Sequence, residues 1–329
     1  VNGEPLLSVQ ELRVHFGAGR KWFGKAASVK AIDGVTFDLR PGETLGVVGE
    51  SGCGKSTLGR AILRLIAPTA GRVLWLGTDM AGLEGEALRQ ERRNMQVIFQ
   101  DPIASLDPRM TVGQAIERPL ATFEPGLSGE DRRRRVQEMM ELVGLPRAWA
   151  GRYPHEMSGG QCQRVGIARA MILKPKLIVC DEPVSALDVS IQAQIINLLM
   201  RLQREFGLSL LFISHNLSVV RHISNRVMVL YLGKVMEIAD RDDLYARQLH
   251  PYTRALMSAV PIPDPRLERQ RQKLLLSGDL PSPLNPPSGC RFRTRCPMAT
   301  PRCAAEEPAL TPFGKGHLVA CHYAGDKTG

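Results

Sequence analysis

Apolar and polar residues alternate near the start of the chain. Leu12, Val14 and Phe16 are interleaved with Arg13 and His15, and Val35, Phe37 and Leu39 with Thr36 and Asp38. A period of two sends every second side chain to one face, so both stretches are expected as half-buried strands. The pattern then changes. Thr44 to Val48 is a short apolar run ending at glycine, and Lys55 to Ile66 carries Leu58, Ile62 and Leu65 at helical spacing, which reads as strand, loop, helix. Val73 to Leu76 and Met95 to Phe99 are expected as further strands. Residues 101–173 are mostly helical in pattern but broken by Pro and Gly, as a helical insertion into an α/β core would be. Leu177 to Cys180 and Leu208 to Ile213 return to short apolar strands, separated by the helix-like Ile191 to Phe206. Val227 to Leu230 and Lys234 to Ile238 flank Gly233 as a hairpin does. Beyond His250-Pro251 the composition shifts, with prolines at 261, 263, 265, 281, 283, 286 and 287, and a domain boundary is expected near residue 250.

Composition adds limits. A chain of 329 residues with 43% apolar content can bury one large core or two modest ones. No apolar run approaches the roughly 20 residues that cross a bilayer. Val1-Asn2-Gly3-Glu4-Pro5 lacks a basic-then-apolar signal pattern, so any membrane role is expected to be peripheral. A net charge of +10 suits an anionic partner: nucleotide, nucleic acid or a lipid surface. The aromatic content of 5%, with no stacking motif among the basic residues, argues against nucleic acid. Arg132 to Arg135 is expected as a solvated helix face.

The chemistry centres on Gly49-Glu50-Ser51-Gly52-Cys53-Gly54-Lys55-Ser56, which fits the phosphate-loop pattern between a strand and a helix. Glycines there allow a tight loop whose N–H groups surround a β-phosphate, and the helix that follows turns its positive end to the anion. Lys55 is placed for the β- and γ-phosphates and the Ser56 hydroxyl for Mg²⁺. Asp181-Glu182 ends an apolar strand, where carboxylates meet a ligand at the sheet's carboxyl edge. Asp181 suits Mg²⁺ and Glu182 the attacking water. Gln100 and His215 close two other strands, and their coincidence with Lys55, Asp181 and Glu182 favours one assembled site. Cys53, beside a helix N-terminus, is expected to carry a lowered thiol pKa and to be open to alkylation. Cys162 and Cys180 read as packing residues.

Taken with the second glycine-rich tract Ser158-Gly159-Gly160-Gln161 and with Ser185-Ala186-Leu187-Asp188, this set resembles an ATP-binding cassette transporter ATPase over about residues 5 to 250. Met157 stands where that family commonly has Leu, a volume-conserving change. Asp101-Pro102, Ser105-Leu106-Asp107-Pro108-Arg109 and His250-Pro251-Tyr252-Thr253-Arg254-Ala255-Leu256 resemble segments of bacterial peptide-permease ATPases. With Lys21-Trp22-Phe23 and Pro286-Pro287-Ser288-Gly289-Cys290, the similarity is nearest to the second ATPase subunit of oligopeptide permeases.

That resemblance implies an α/β P-loop NTPase fold: a cassette over 1–250 with a RecA-like core, an antiparallel β subdomain and a helical subdomain at about 101–173, then a cysteine-rich extension over 251–329. It implies ATP bound by Phe16, stacked on adenine, and by Gly49, Glu50, Ser51, Gly52, Cys53, Gly54, Lys55, Ser56 and Thr57. Mg²⁺ would be held by Ser56, Gln100 and Asp181, with Glu182, His215 and Gln100 as catalytic residues. Ser158, Gly159, Gly160, Gln161 and Asp188 would contact ATP held by a partner. The implied partners are a second ATPase subunit in a heterodimer, two transmembrane permease subunits and an extracytoplasmic peptide-binding protein, with no nucleic acid. The implied place is the cytoplasmic face of the bacterial inner membrane. A soluble cassette ATPase not tied to transport is the rival reading.

Cys290, Cys296, Cys303 and Cys321 are separated by gaps of five, six and seventeen residues, which match neither a short zinc knuckle nor a ferredoxin run. A disulfide framework is the plainer reading of four cysteines, but the lack of an export signal favours metal binding. The resemblance to peptide permeases implies a [4Fe-4S] cluster on these four residues, with Arg291, Arg293 and Arg295 offsetting its negative charge. His317 and His322 keep Zn²⁺ as the alternative.

Overall fold

The computed structural model describes residues 4–17, 28–260, 266, 274, 278–314 and 316–325. The Lys21-Trp22-Phe23 segment and the prolines at 261, 263 and 265 lie outside them. The chain divides into two compact units, each discontinuous in sequence: Val1–Leu39, Leu45–Ala81 and Ser214–Gly329 in one, Arg40–Thr44 and Gly82–Ile213 in the other.

The first unit holds an antiparallel sheet in the order Ser28–Leu39, Leu7–Gly17, Ala70–Trp75, Thr78–Asp79. Period-two alternation places Leu7 and Val9 inside and, after a register shift between Val9 and Leu12, Leu12 and Val14 as well, with Val35, Phe37 and Leu39 beside them. Phe16 departs from the expected buried face. The register shifts between Val14 and His15, and the Phe16 ring is 42% exposed. In the same unit, residues 45–48 of the strand Thr44–Val48 run parallel to Arg226–Tyr231, which forms the expected hairpin with Lys234–Asp240. The short strands Leu318–Val319 and Thr311–Pro312 extend that hairpin, so the C-terminal segment is built onto it.

The second unit carries three parallel strands in the order Ser209–Ile213, Leu177–Asp181, Met95–Ile98. The first two are buried throughout, which explains their continuous apolar sequence. The helices Val112–Phe123, Gly129–Leu142 and Gly159–Met171 fill the region expected to be helical, and Val189–Phe206 follows. Arg132 to Arg135 is only partly a solvated face. Arg133 and Arg134 are exposed, whereas Arg135 pairs with Glu124 and donates to the Ile172 carbonyl, and Arg132 lies 3.4 Å from Glu117. The expected helix from Lys55 to Ile66 stops at Ile62, because Arg64 turns to a φ of 54°. No helix among the described residues is long and apolar enough to cross a membrane.

Candidate functional site

In the first unit, the loop from Gly49 to Gly54 follows the strand Thr44–Val48 and opens the helix Lys55–Ile62. Gly49 has a φ of 154°, and a Cβ there would lie 2.1 Å from the Leu230 carbonyl oxygen, so no other residue fits. Gly54, at a φ of 107°, gives the helix no side-chain cap, and the positive end of the helix dipole favours an anion at this position. The Lys55 side chain is buried and curls back on the loop. Its Nζ donates to the Gly49 carbonyl at 2.9 Å and the Glu50 carbonyl at 3.1 Å. Ser56 and Thr57 are half-buried, and Ser51 and Gly52 are exposed. His215, two residues beyond Ile213, is exposed, as is Phe16.

Cys53 overturns its expectation. Its side chain is 1% exposed, and burial pushes the thiol up, outweighing the lowering effect of Lys55 nearby. A helix N-terminus is too weak a stabiliser to offset that loss of hydration. Cys162 and Cys180 are fully buried packing residues, as expected.

The second unit gathers the carboxylates. Asp181 ends its strand 4% exposed. Glu182 follows at a φ of 47°, its N–H donating to the Ile213 carbonyl at 3.0 Å. A left-handed backbone at a non-glycine residue is strained, and such strain clusters at functional positions. The Gln100 amide nitrogen donates to the Glu182 carboxylate at 3.4 Å, so these two expected site residues do come together.

Ser158 is the N-cap of the helix Gly159–Met171 in a reciprocal capping box. Its hydroxyl accepts from the Gln161 N–H at 3.4 Å, and the Gln161 side chain accepts from the Ser158 N–H at 2.9 Å. A Cβ on Gly160 would lie 2.5 Å from Cγ2 of Ile191, so glycine here serves close approach to the next helix. Ser158 and Asp188 are exposed, and Val189 is 82% exposed, leaving this surface open to contact.

The four C-terminal cysteines line one cavity in the first unit, with His250, Phe292, Met298, His322 and Tyr323 among the other walls. Among the described residues, no group of three or more His, Cys, Asp or Glu is arranged to hold a metal ion. Two expectations about the residues around the cysteines need correction. His317, offered as a zinc ligand, instead bonds Glu237 at 2.7 Å. Of the three arginines expected to offset cluster charge, only Arg293 lines the cavity. Arg291 pairs with the buried Asp33 and Arg295 with the half-buried Glu50, so both guanidinium groups are taken up by carboxylates outside the cavity. Burial also pushes the Cys290 thiol up to about 11 and raises Cys296, so both are protonated at neutral pH.

Sequence reasoning missed the support beneath the phosphate loop. The Tyr252 hydroxyl accepts from the Glu50 N–H at 3.0 Å, and Arg295 donates to both Glu50 carboxylate oxygens at 2.6 and 3.0 Å. His250 is fully buried, and that burial pushes it down to about 4 despite Glu237 nearby. Neutral, its Nδ1 accepts from the Tyr252 N–H at 3.0 Å and caps the helix Pro251–Ser258. The His-Pro-Tyr segment was visible in sequence, but its role in seating Tyr252 against Glu50 was not.

Comparison with known proteins agrees with this geometry. The ABC transporter family model matches residues 32–185, and the model for the oligopeptide/dipeptide transporter C-terminal region matches residues 236–303. The oligopeptide transport ATP-binding protein OppF of Salmonella typhimurium is 60% identical over 319 residues, covering 96% of this chain and 95% of the relative. The chain belongs to the ATP-binding subunits of the ABC peptide-transporter family. A putative oligopeptide transport ATP-binding protein of Bacillus subtilis, YkfD, is 55% identical over 97% of this chain and 95% of its own length. Among solved structures, the dimeric post-hydrolysis ATP-binding cassette MJ0796, bound to ADP and Pi, superposes with a TM-score of 0.65 at 30% identity. That match covers 71% of this chain and 98% of the cassette. The family's P-loop ATPase fold is therefore that of this chain, and the rival of an ATPase not tied to transport finds no support here.

Proposed function

We propose that the chain powers peptide import as one of two ATPase subunits, seated on two membrane-spanning permease subunits at the inner face of a bacterial cell membrane. The family hydrolyses ATP to drive transport, and identity of 60% over nearly the whole chain is the observation that carries the reading. A second ATPase subunit in a heterodimer and an extracytoplasmic peptide-binding protein complete the proposed assembly.

We assign the cassette to residues 1–250, with its helical subdomain at about 101–173, and the extension to 251–329. Lys55 and the loop N–H groups take the β- and γ-phosphates, and Thr57 supports them from the first helical turn. Phe16, with its exposed ring, stacks on adenine. Ser56, Gln100 and Asp181 offer the hard oxygen donors that Mg²⁺ takes, and the ion supplies charge neutralisation at the phosphates. Glu182 accepts a proton from the attacking water, Gln100 orients Glu182, and His215 stabilises the charge that builds on the γ-phosphate. Ser158, Gly159, Gly160, Gln161 and Asp188 serve ATP held by the partner subunit. Each chain is then half of two sites.

For the extension we propose that Cys290, Cys296, Cys303 and Cys321 hold an iron–sulfur cluster, which would tie the tail's loops together. The support is that all four line one cavity, and that a multi-iron group needs its thiolates spaced around it. Binding has to displace the protons of Cys290 and Cys296. Chain purified without oxygen should contain iron and sulfide; stoichiometric zinc, or no metal at all, would reject the cluster.

Affinity purification of the full chain from gently solubilised membranes tests the assembly. Two hydrophobic permease chains and a second cassette should copurify, and recovery of this chain alone would count against it.

A further inference from the structure

We propose that Arg295 is a positioning residue for the phosphate loop, acting through Glu50, so that the cysteine-bearing segment sets the loop's affinity for ATP. This rests on the assignment of Gly49–Ser56 as that loop.

Glu50 is held from outside the loop at three points: two guanidinium bonds from Arg295 and the Tyr252 hydroxyl on its N–H. Its own carbonyl accepts from Lys55 Nζ. One residue therefore joins the tail's guanidinium to the loop's ammonium. Neighbouring Gly49 is confined by the Leu230 carbonyl, which limits how far the loop can yield.

Arg295 is 9% exposed, with its guanidinium carbon 6.0 Å from the Tyr231 ring centroid. Beneath it Tyr231, Tyr252 and Phe292 pack on one another, with ring centroids 4.7 to 5.4 Å apart. Phe292 also lines the cysteine cavity, and Arg295 immediately precedes Cys296, so the tail and the loop share one rigid support.

Charge supplies the second half of the argument. An acidic side chain inside a loop built for polyphosphate repels its ligand. The bidentate partner offsets the charge of Glu50 and holds its carboxylate from outside the loop. Loss of Arg295 restores the repulsion and frees the loop together.

The test uses the full-length chain in its assembled transporter, with a fluorescent ATP analogue and steady-state hydrolysis. Arg295→Gln should weaken analogue binding about tenfold, the effect of one strong charge-assisted contact, and the loss should fall on KM more than on kcat. Arg295→Lys keeps the charge but not the fork, and should fall between wild type and Arg295→Gln. Because both residues act through one contact, Glu50→Gln combined with Arg295→Gln should bind no worse than Arg295→Gln alone. Wild-type affinity in the Arg295 variants that assemble, or additive losses in the double variant, would overturn the proposal. Lys55→Ala is the separate control: if it binds the analogue as wild type does, the phosphate-loop assignment fails rather than the clamp.

Discussion

Gln100 and Glu182 lie 82 positions apart, yet the amide of one donates to the carboxylate of the other at 3.4 Å. Glu182 also sits in a left-handed conformation, so an uncommon backbone geometry and a side-chain hydrogen bond meet at one residue. In the role proposed for Glu182, a proton acceptor held in this way would gain most of its effect from orientation.

Replacing Glu182 with Gln keeps size and removes the acceptor. Phosphate release by the assembled transporter should fall by about a hundredfold or more, with ATP still bound. Near-normal turnover in Glu182→Gln would remove Glu182 from the role of general base.

Ser158 predicts an asymmetry between subunits. Ser158→Ala loses the capping hydroxyl at a cost of about 1 kcal/mol to the helix, yet the chain's own loop is untouched. ATP binding to this subunit should persist while hydrolysis on its partner drops. The check is a mixed complex whose other site is silenced by its own phosphate-loop lysine variant.

Cys53 should be inert. With its thiol buried and raised above the usual range, alkylation under native conditions should leave it unmodified while the same reagent labels it in denaturant. Mass spectrometry of the labelled peptide decides this, and rapid native labelling would show the loop to be more open than it stands here.

His250 makes stability depend on pH in a defined direction. Its folded pKa of about 4 lies below the ordinary 6.5, so the unfolded chain binds the proton more readily between those values. Its contribution is complete above about pH 6.5 and is lost as pH falls toward 4, amounting to roughly 3 kcal/mol. Thermal unfolding of wild type and His250→Asn across that range should converge in slope if His250 is not responsible.

The phosphate loop, the strand-end carboxylates and the capping tract were legible because each is local: a strand, a turn and a helix start within a dozen residues. Gln100 and Glu182 were recognised by their places at strand ends, and parallel pairing then brought them together. The clamp on Glu50 was not legible, since Arg295 lies 245 residues away and its spacing among cysteines suggested charge balance for a cluster. Cys53 misled for a related reason. Sequence shows the helix that follows it but not the core that covers it. Phe16 fell on the expected inner face until a register shift turned it outward.

The central claim is that this chain converts ATP hydrolysis into peptide transport. The most direct measurement is uptake of labelled oligopeptides into vesicles holding the assembled transporter and its binding protein, with phosphate release followed in parallel. The account predicts ATP-dependent uptake that Lys55→Ala abolishes together with hydrolysis at this subunit's loop. Peptide uptake that persists undiminished with Lys55→Ala, or hydrolysis indifferent to peptide and permease, would contradict it.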